Sequence, residues 1–135
     1  MRAPTFRFEK LEVWRESIAY AKMIYAVTKN FPPDERFGLT NQLRRSAVSI
    51  SANIAEGTSR TTDKDFARYI EIAYGSLMET VSEATLAQQQ TMMTSDQFGE
   101  LRQQADKLAR MLSGLRASLL SGKPSSLRSQ PSTSR

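Results

Sequence analysis

An all-α fold, an antiparallel up-down-up-down four-helix bundle, is what this sequence predicts. Two observations carry it. Apolar residues recur at spacings of three and four in four separate segments, and short breaks rich in Pro, Gly, Ser or Thr divide those segments. At 135 residues the chain is one domain's length, enough for a single core.

The first helix is expected from about Leu11 to Phe31, with Leu11, Trp14, Ile18, Ala21, Tyr25 and Thr28 as its buried stripe. Phe31-Pro32-Pro33-Asp34 ends it, because proline cannot continue a helix and restricts the residue before it. The second runs from about Glu35 to Glu56, burying Leu39, Leu43, Ala47, Ile50 and Ile54, and Gly57 suits a left-handed cap. Thr62-Asp63-Lys64-Asp65 opens the third as a variant capping box. Phe66, Ile70, Ala73, Leu77, Val81 and Ala84 form its stripe, which fades near Met93. Ser95 is the expected N-cap of the fourth helix. There Phe98, Leu101, Ala105, Leu108, Leu112, Leu115 and Leu119 repeat as in a coiled-coil seam. The division is therefore an N-terminal extension (1–10), a bundle (11–120) and a basic Ser/Pro-rich tail (121–135). The tail has too little apolar content to fold and is expected to be disordered.

The composition excludes several chemistries. Without cysteine there is no disulfide, thiolate chemistry or sulfur-bound metal. Without histidine the usual general base, the commonest metal ligand and the carboxylate-histidine metal sites of helical bundles are missing. Glu79 and Glu83 form an i, i+4 carboxylate pair, which reads as a solvated face rather than a metal site. No catalytic residue, metal or cofactor is expected, and the chain is read as a non-enzyme. No run approaches the ~20 apolar residues of a membrane span, and no signal peptide is visible, so a cytoplasmic protein with no membrane contact is expected.

Two oddities point to self-association. Val13, Tyr20, Ile24, Val27 and Phe31 give the first helix a second apolar stripe where a monomer's surface should be polar. On the second helix Gln42, Ser46, Ser49, Asn53 and Glu56 make a polar stripe beside the apolar one. The candidate oligomer interface is thus Val13, Tyr20, Ile24, Val27, Arg45, Ser46, Ser49, Asn53 and Glu56. The plainer alternatives are a broad core face on the first helix and a solvated serine stripe on the second.

The second helix also carries a longer pattern. Phe31-Pro32-x-x-Glu35-x-Phe37-Gly38-Leu39-x-x-Gln42-Leu43-Arg44-Arg45-Ser46-Ala47-Val48-Ser49-Ile50, followed by Asn53-Ile54-Ala55-Glu56-Gly57-x-x-Arg60, resembles the signature of a bacterial four-helix bundle family, the 23S rRNA-intervening-sequence proteins. Phe8-x-x-Leu11-x-Val13-Trp14 and Ile72-Ala73-x-Gly75-Ser76 are similar too, and the likeness covers about Phe8 to Leu119. The resemblance implies a homopentamer, a barrel of five bundles around a channel. It also implies kinship with accessory subunits of reverse transcriptases in diversity-generating retroelements, which bind nucleic acid and the polymerase. No established activity comes with the intervening-sequence branch.

Arg44, Arg60 and Arg68, with Lys123 and Arg128 in the tail, are the candidate contacts to RNA or DNA, since guanidinium forks match phosphate oxygens. The structural alternative has these side chains pairing within the protein, and it weighs most for Arg45 and Glu56. The net charge is +5, and three of the cations, Lys123, Arg128 and Arg135, lie in the acid-free tail. A pentamer would multiply that charge fivefold. The tyrosines and Trp14 are assigned to core and interface packing, so no exposed aromatic-basic platform for base stacking is evident. Two functions remain open: a pentameric nucleic-acid-associated protein, and a scaffold that recruits a protein such as a polymerase.

Overall fold

The computed structural model describes residues 6–122, and among them it is all-helical, with no strand. Four long helices, α1 (Glu12–Thr28), α2 (Leu39–Thr58), α3 (Asp63–Gln89) and α4 (Ser95–Ser121), form a square in which α1 and α3 each pack on α2 and α4. One core runs through its centre, including Leu43, Ile50, Ile54, Ile70, Leu77, Leu108 and Leu112, all essentially without solvent exposure. A short 3-10 turn, Arg7–Lys10, packs its Phe8 edge-on against Trp14 at 4.8 Å, so part of the N-terminal extension belongs to the folded body.

The helix α1 turns further than its first apolar stripe suggests. Its buried residues are Val13, Ser17, Tyr20, Ala21, Ile24 and Thr28, whereas Tyr25 is exposed and Trp14 and Ile18 are half-buried. This corrects the interface assignment of Val13, Tyr20 and Ile24, which lie in the chain's own core, with half-buried Val27 packed against it. The physical reason is a hydrogen bond across the core. Tyr20 can enter the core because its hydroxyl meets Thr80 Oγ1 at 2.7 Å, and Thr80 also donates to the Leu77 carbonyl.

The second helix starts four residues later than expected. A 3-10 turn, Pro33–Glu35, precedes it, and Glu35 Oε1 accepts the Leu39 amide at 3.0 Å. Gly38 makes room for that carboxylate, since a Cβ there would stand 2.7 Å from Glu35 Oε1. Gly57 is not a left-handed cap. It lies inside α2, buried, where a Cβ would come within 2.8 Å of Phe66 Cδ1 and 3.0 Å of Tyr69 Cβ, so the glycine sets the close approach of α2 and α3.

Thr62 caps α3 as expected, accepting from the Asp65 amide, although Asp65 faces Arg68 and not the cap. The helix stops at Gln89 because Thr91 takes a left-handed conformation (φ 61°), uncommon for a β-branched residue, and buried Met93 anchors the turn. The cap of α4 is Thr94, not Ser95. Thr94 and Gln97 exchange hydrogen bonds of 3.0 and 2.9 Å in a full capping box. Gly122 (φ 69°) supplies the left-handed cap at the end of α4.

Candidate functional site

The outward side of α2 lies between two open grooves, and Asn41, Arg45 and Ser49 border both. Each groove follows from what α2 buries. Apolar residues at 39, 43, 47, 50 and 54 fix the inward face, leaving serines and other polar residues on the flank toward α3 and Arg44 on the flank toward α1.

The groove toward α3, about 520 Å³, is lined by Phe37, Asn41, Gln42, Arg45, Ser46, Ser49, Glu79 and Glu83. Buried Ser46 donates to Glu83 Oε1 at 3.2 Å. Ser49 and Ser76 share a 2.9 Å hydrogen bond, and Asn53 donates to both the Ser49 carbonyl (2.8 Å) and its hydroxyl (3.1 Å). Ser46 and Ser49 of the predicted polar stripe therefore form a hydrogen-bonded seam with α3, braced by Asn53 from within α2. Burial pushes the Glu83 carboxyl up, Ser46 partly opposes this, and the neighbouring Glu79 charge adds to it. Beside the seam lie apolar groups in water: Phe37, 81% exposed under the Arg36 guanidinium, and Ile72 at 47%. Gly75 is mid-helix on the exposed side of α3, and among the described residues nothing beyond its own helical turn comes within 4 Å of where a Cβ would stand.

The groove toward α1, about 430 Å³, is lined by Tyr25, Asn41, Arg44, Arg45, Val48 and Ser49. Arg44 spans the two helices: Nε donates to Thr28 Oγ1 at 2.9 Å, Nη2 to the Tyr25 carbonyl at 3.4 Å, and the guanidinium lies 4.6 Å from the centre of the Tyr25 ring. Tyr25 is 42% exposed, so the expectation that no aromatic-basic platform exists is corrected here. It arose from placing Tyr25 in the core stripe.

The other candidate cations do not join this groove. Arg60 pairs with Glu56 at 3.1 Å and covers the Tyr69 ring, and Arg68 faces Asp65 at 3.7 Å, both at the far end of α2 and the start of α3. Glu56 thus pairs with Arg60 within the chain, while Arg45 is exposed. Lys123 and Arg128 lie outside the described residues. Phe37, Ile72, Gly75 and the exposed position of Tyr25 were missed. The readable signal for Gly75 was a glycine opposite the stripe of Phe66, Ile70, Ala73 and Leu77. Among the described residues no group of three carboxylates or other ligands is placed to hold a metal ion, and no helix is long and apolar enough to cross a membrane.

A family model described as 23S rRNA-intervening sequence protein matches residues 9–114. Among solved structures, a crystal structure of a protein of unknown function from the S23 ribosomal protein family of Bacteroides thetaiotaomicron is similar, with a TM-score of 0.69 and 24% identity. The match covers 77% of this chain and 97% of that one, and at such identity the likeness is one of fold. No curated protein matches.

Proposed function

Since the chain belongs to the 23S rRNA-intervening sequence protein family, we infer that it is a non-catalytic assembly protein, an antiparallel bundle that associates into a homopentamer through its α2/α3 face. Antiparallel packing is supported by the order of side-chain neighbours: Ser46 with Glu83, Ser49 with Ser76, and Gly57 with Phe66. The observation that carries the assembly is the exposed Gly75 with Ile72 beside it, adjoining Ser76, which bonds small Ser49 on α2. A glycine within an exposed helix costs about 1 kcal/mol relative to alanine, and nothing among the described residues uses the space it leaves. Small residues of this kind let a second backbone approach closely, and Phe37 and Ile72 supply apolar area for it to cover. Arg45 and Glu79 on the groove walls are opposite charges able to fix register with a neighbouring copy.

The mass in solution tests this. Light scattering at micromolar concentration is expected to give five times the 15.2 kDa chain. Substituting Gly75→Leu together with Ile72→Glu is expected to release helical monomers. A wild-type mass of one chain overturns the reading.

A second reading, nucleic-acid binding by that assembly, is favoured by Arg44 and Arg45 in a groove whose lining contains no acid. Binding of RNA and of duplex DNA across a salt series tests it, because each phosphate neutralised on a duplex contributes roughly 0.9 to the slope of log affinity on log salt. No binding to either polymer at low salt overturns it.

A further inference from the structure

The described part of the chain is close to neutral, fifteen Lys and Arg against fourteen Asp and Glu over residues 6–122. Its charges are unevenly placed. From Ser17 to Pro33 there are Lys22 and Lys29 and no acid; from Arg36 to Ala55 there are Arg36, Arg44 and Arg45 and again none. These two segments pack on each other as the later part of α1 and most of α2. Every acid of residues 6–122 lies outside them. Glu35, which precedes Arg36, accepts the Leu39 amide.

The groove between them holds an arginine that is already positioned. Arg44 is fixed by Thr28, by the Tyr25 carbonyl and by the Tyr25 ring, so little side-chain freedom remains to be lost when an anion binds. Lys22 and Lys29 stand three residues before and four after Tyr25, hence on the same side of α1, and both are exposed. Tyr25 lies between them as the groove's aromatic wall, with Asn41 and Ser49 as neutral hydrogen-bonding groups opposite.

We propose that this α1/α2 groove is a binding site for single-stranded nucleic acid. Lys22, Lys29, Arg44 and Arg45 contact phosphates, and the Tyr25 ring with its overlying guanidinium stacks on a base. The cations alone would suit any polyanion. The half-exposed ring in the groove selects the unpaired strand, because only an unstacked base offers its face to an aromatic side chain. The site deepens the nucleic-acid reading and rests on it. Lys22, Tyr25 and Lys29 on the α1 side, with Arg44, lie apart from the α2/α3 assembly face, and of the proposed contacts only Arg45 borders both grooves.

The test is titration of the full chain with a fluorescein-labelled oligouridylate and with a labelled RNA duplex across a salt series. The wild type is expected to prefer the single strand. Lys22→Gln with Lys29→Gln should lower the salt slope by about 0.7 for each lysine removed. Tyr25→Ala should weaken oligouridylate binding roughly five- to hundredfold at unchanged slope, and Tyr25→Phe should restore it. Circular dichroism and mass confirm that each variant keeps the wild-type fold and assembly. Unaltered binding by these variants overturns the site. Loss of binding only when residues 123–135 are removed also overturns it, while leaving nucleic-acid binding itself standing. Absence of binding to both RNAs at low salt removes both readings, and equal competition by polyglutamate reassigns the groove to acidic polypeptides.

Discussion

Two glycines within helices, Gly57 and Gly75, are the same residue type in opposite surroundings, and substituting each by alanine separates packing from propensity. Alanine at either position gains about 1 kcal/mol of intrinsic helix preference. At Gly75 nothing among the described residues opposes the gain. At Gly57 the new methyl would stand 2.8 Å from Phe66 Cδ1 and 3.0 Å from Tyr69 Cβ, well inside ordinary contact. The Phe66 ring is 1% exposed and has nowhere to turn, and the Tyr69 Cβ is fixed by its own backbone, so α2 and α3 must separate. Overpacking of this kind costs about 1–3 kcal/mol.

The propensity gain is common to both variants and drops out of their difference. Gly75→Ala should therefore exceed Gly57→Ala in stability by about 1–3 kcal/mol, with Gly57→Ala at or below wild type. Urea unfolding followed by far-ultraviolet circular dichroism measures this. Running it at several protein concentrations separates the bundle's own stability from association, which makes the midpoint depend on concentration. If Gly57→Ala proves as stable as Gly75→Ala at the lowest concentration, the close approach of α2 and α3 is not what Gly57 provides. If a neighbouring copy covers Gly75, the alanine there should also weaken the concentration dependence.

Thr91→Gly removes a β-branched residue from a left-handed conformation and should raise stability by about 1 kcal/mol in the same assay. Thr94→Ala deletes the cap of α4 and should lower it by about 1 kcal/mol. Tyr20 is pushed up to about 12, chiefly by burial, from an ordinary value near 10. The folded state therefore holds this proton more tightly, and the stability Tyr20 contributes is whole below pH 10 and lost as pH rises toward 12. The advantage of wild type over Tyr20→Phe should shrink across that window, and a constant difference would refute it. Burial raises the Glu16 carboxyl, but hydrogen bonds from Gln104 and Lys107 and the charges of Lys107 and Arg15 together outweigh it and leave it lowered. Its contribution is present above the ordinary carboxylate range and lost as pH falls through that range. Glu16→Gln should therefore flatten acid unfolding there.

How far the sequence could be read depended on how many solutions each pattern allowed. The fourth helix has one apolar stripe, and every leucine expected inside, from Leu101 to Leu119, is buried. The first helix has two stripes of similar apolarity, and periodicity alone cannot choose between them. The choice was made by a partner distant in sequence, Thr80, whose hydroxyl lets Tyr20 be buried. With the helix turned that way, Tyr25 came out to the surface, and Val13 and Ile24 ceased to be candidates for contact between copies. Glycine was ambiguous in a similar manner. Gly57 sits where a helix is about to end, yet its role is to admit Phe66, whereas the left-handed cap falls at Gly122.

The arginines show the same limit at the candidate site. Their number near Arg44 was plain, but what each one faces was not. Arg60 and Arg68 sit within a turn of an acid on their own helical stretch, at i, i+4 and i, i+3, and the pairing with Glu56 and Asp65 follows from helical spacing. Arg44 and Arg45 have no acid within a turn in either direction, because residues 36–55 contain none. Among these four the rule separates the two arginines paired with acids of their own stretch from the two left to face the groove, whereas Arg116 shows that an acid can also come from another helix, Glu71. Applied to α1 it also selects Lys22 and Lys29, in the acid-free stretch from Ser17 to Pro33. The distribution of missing carboxylates, more than the count of cations, was the legible signal for the α1/α2 groove.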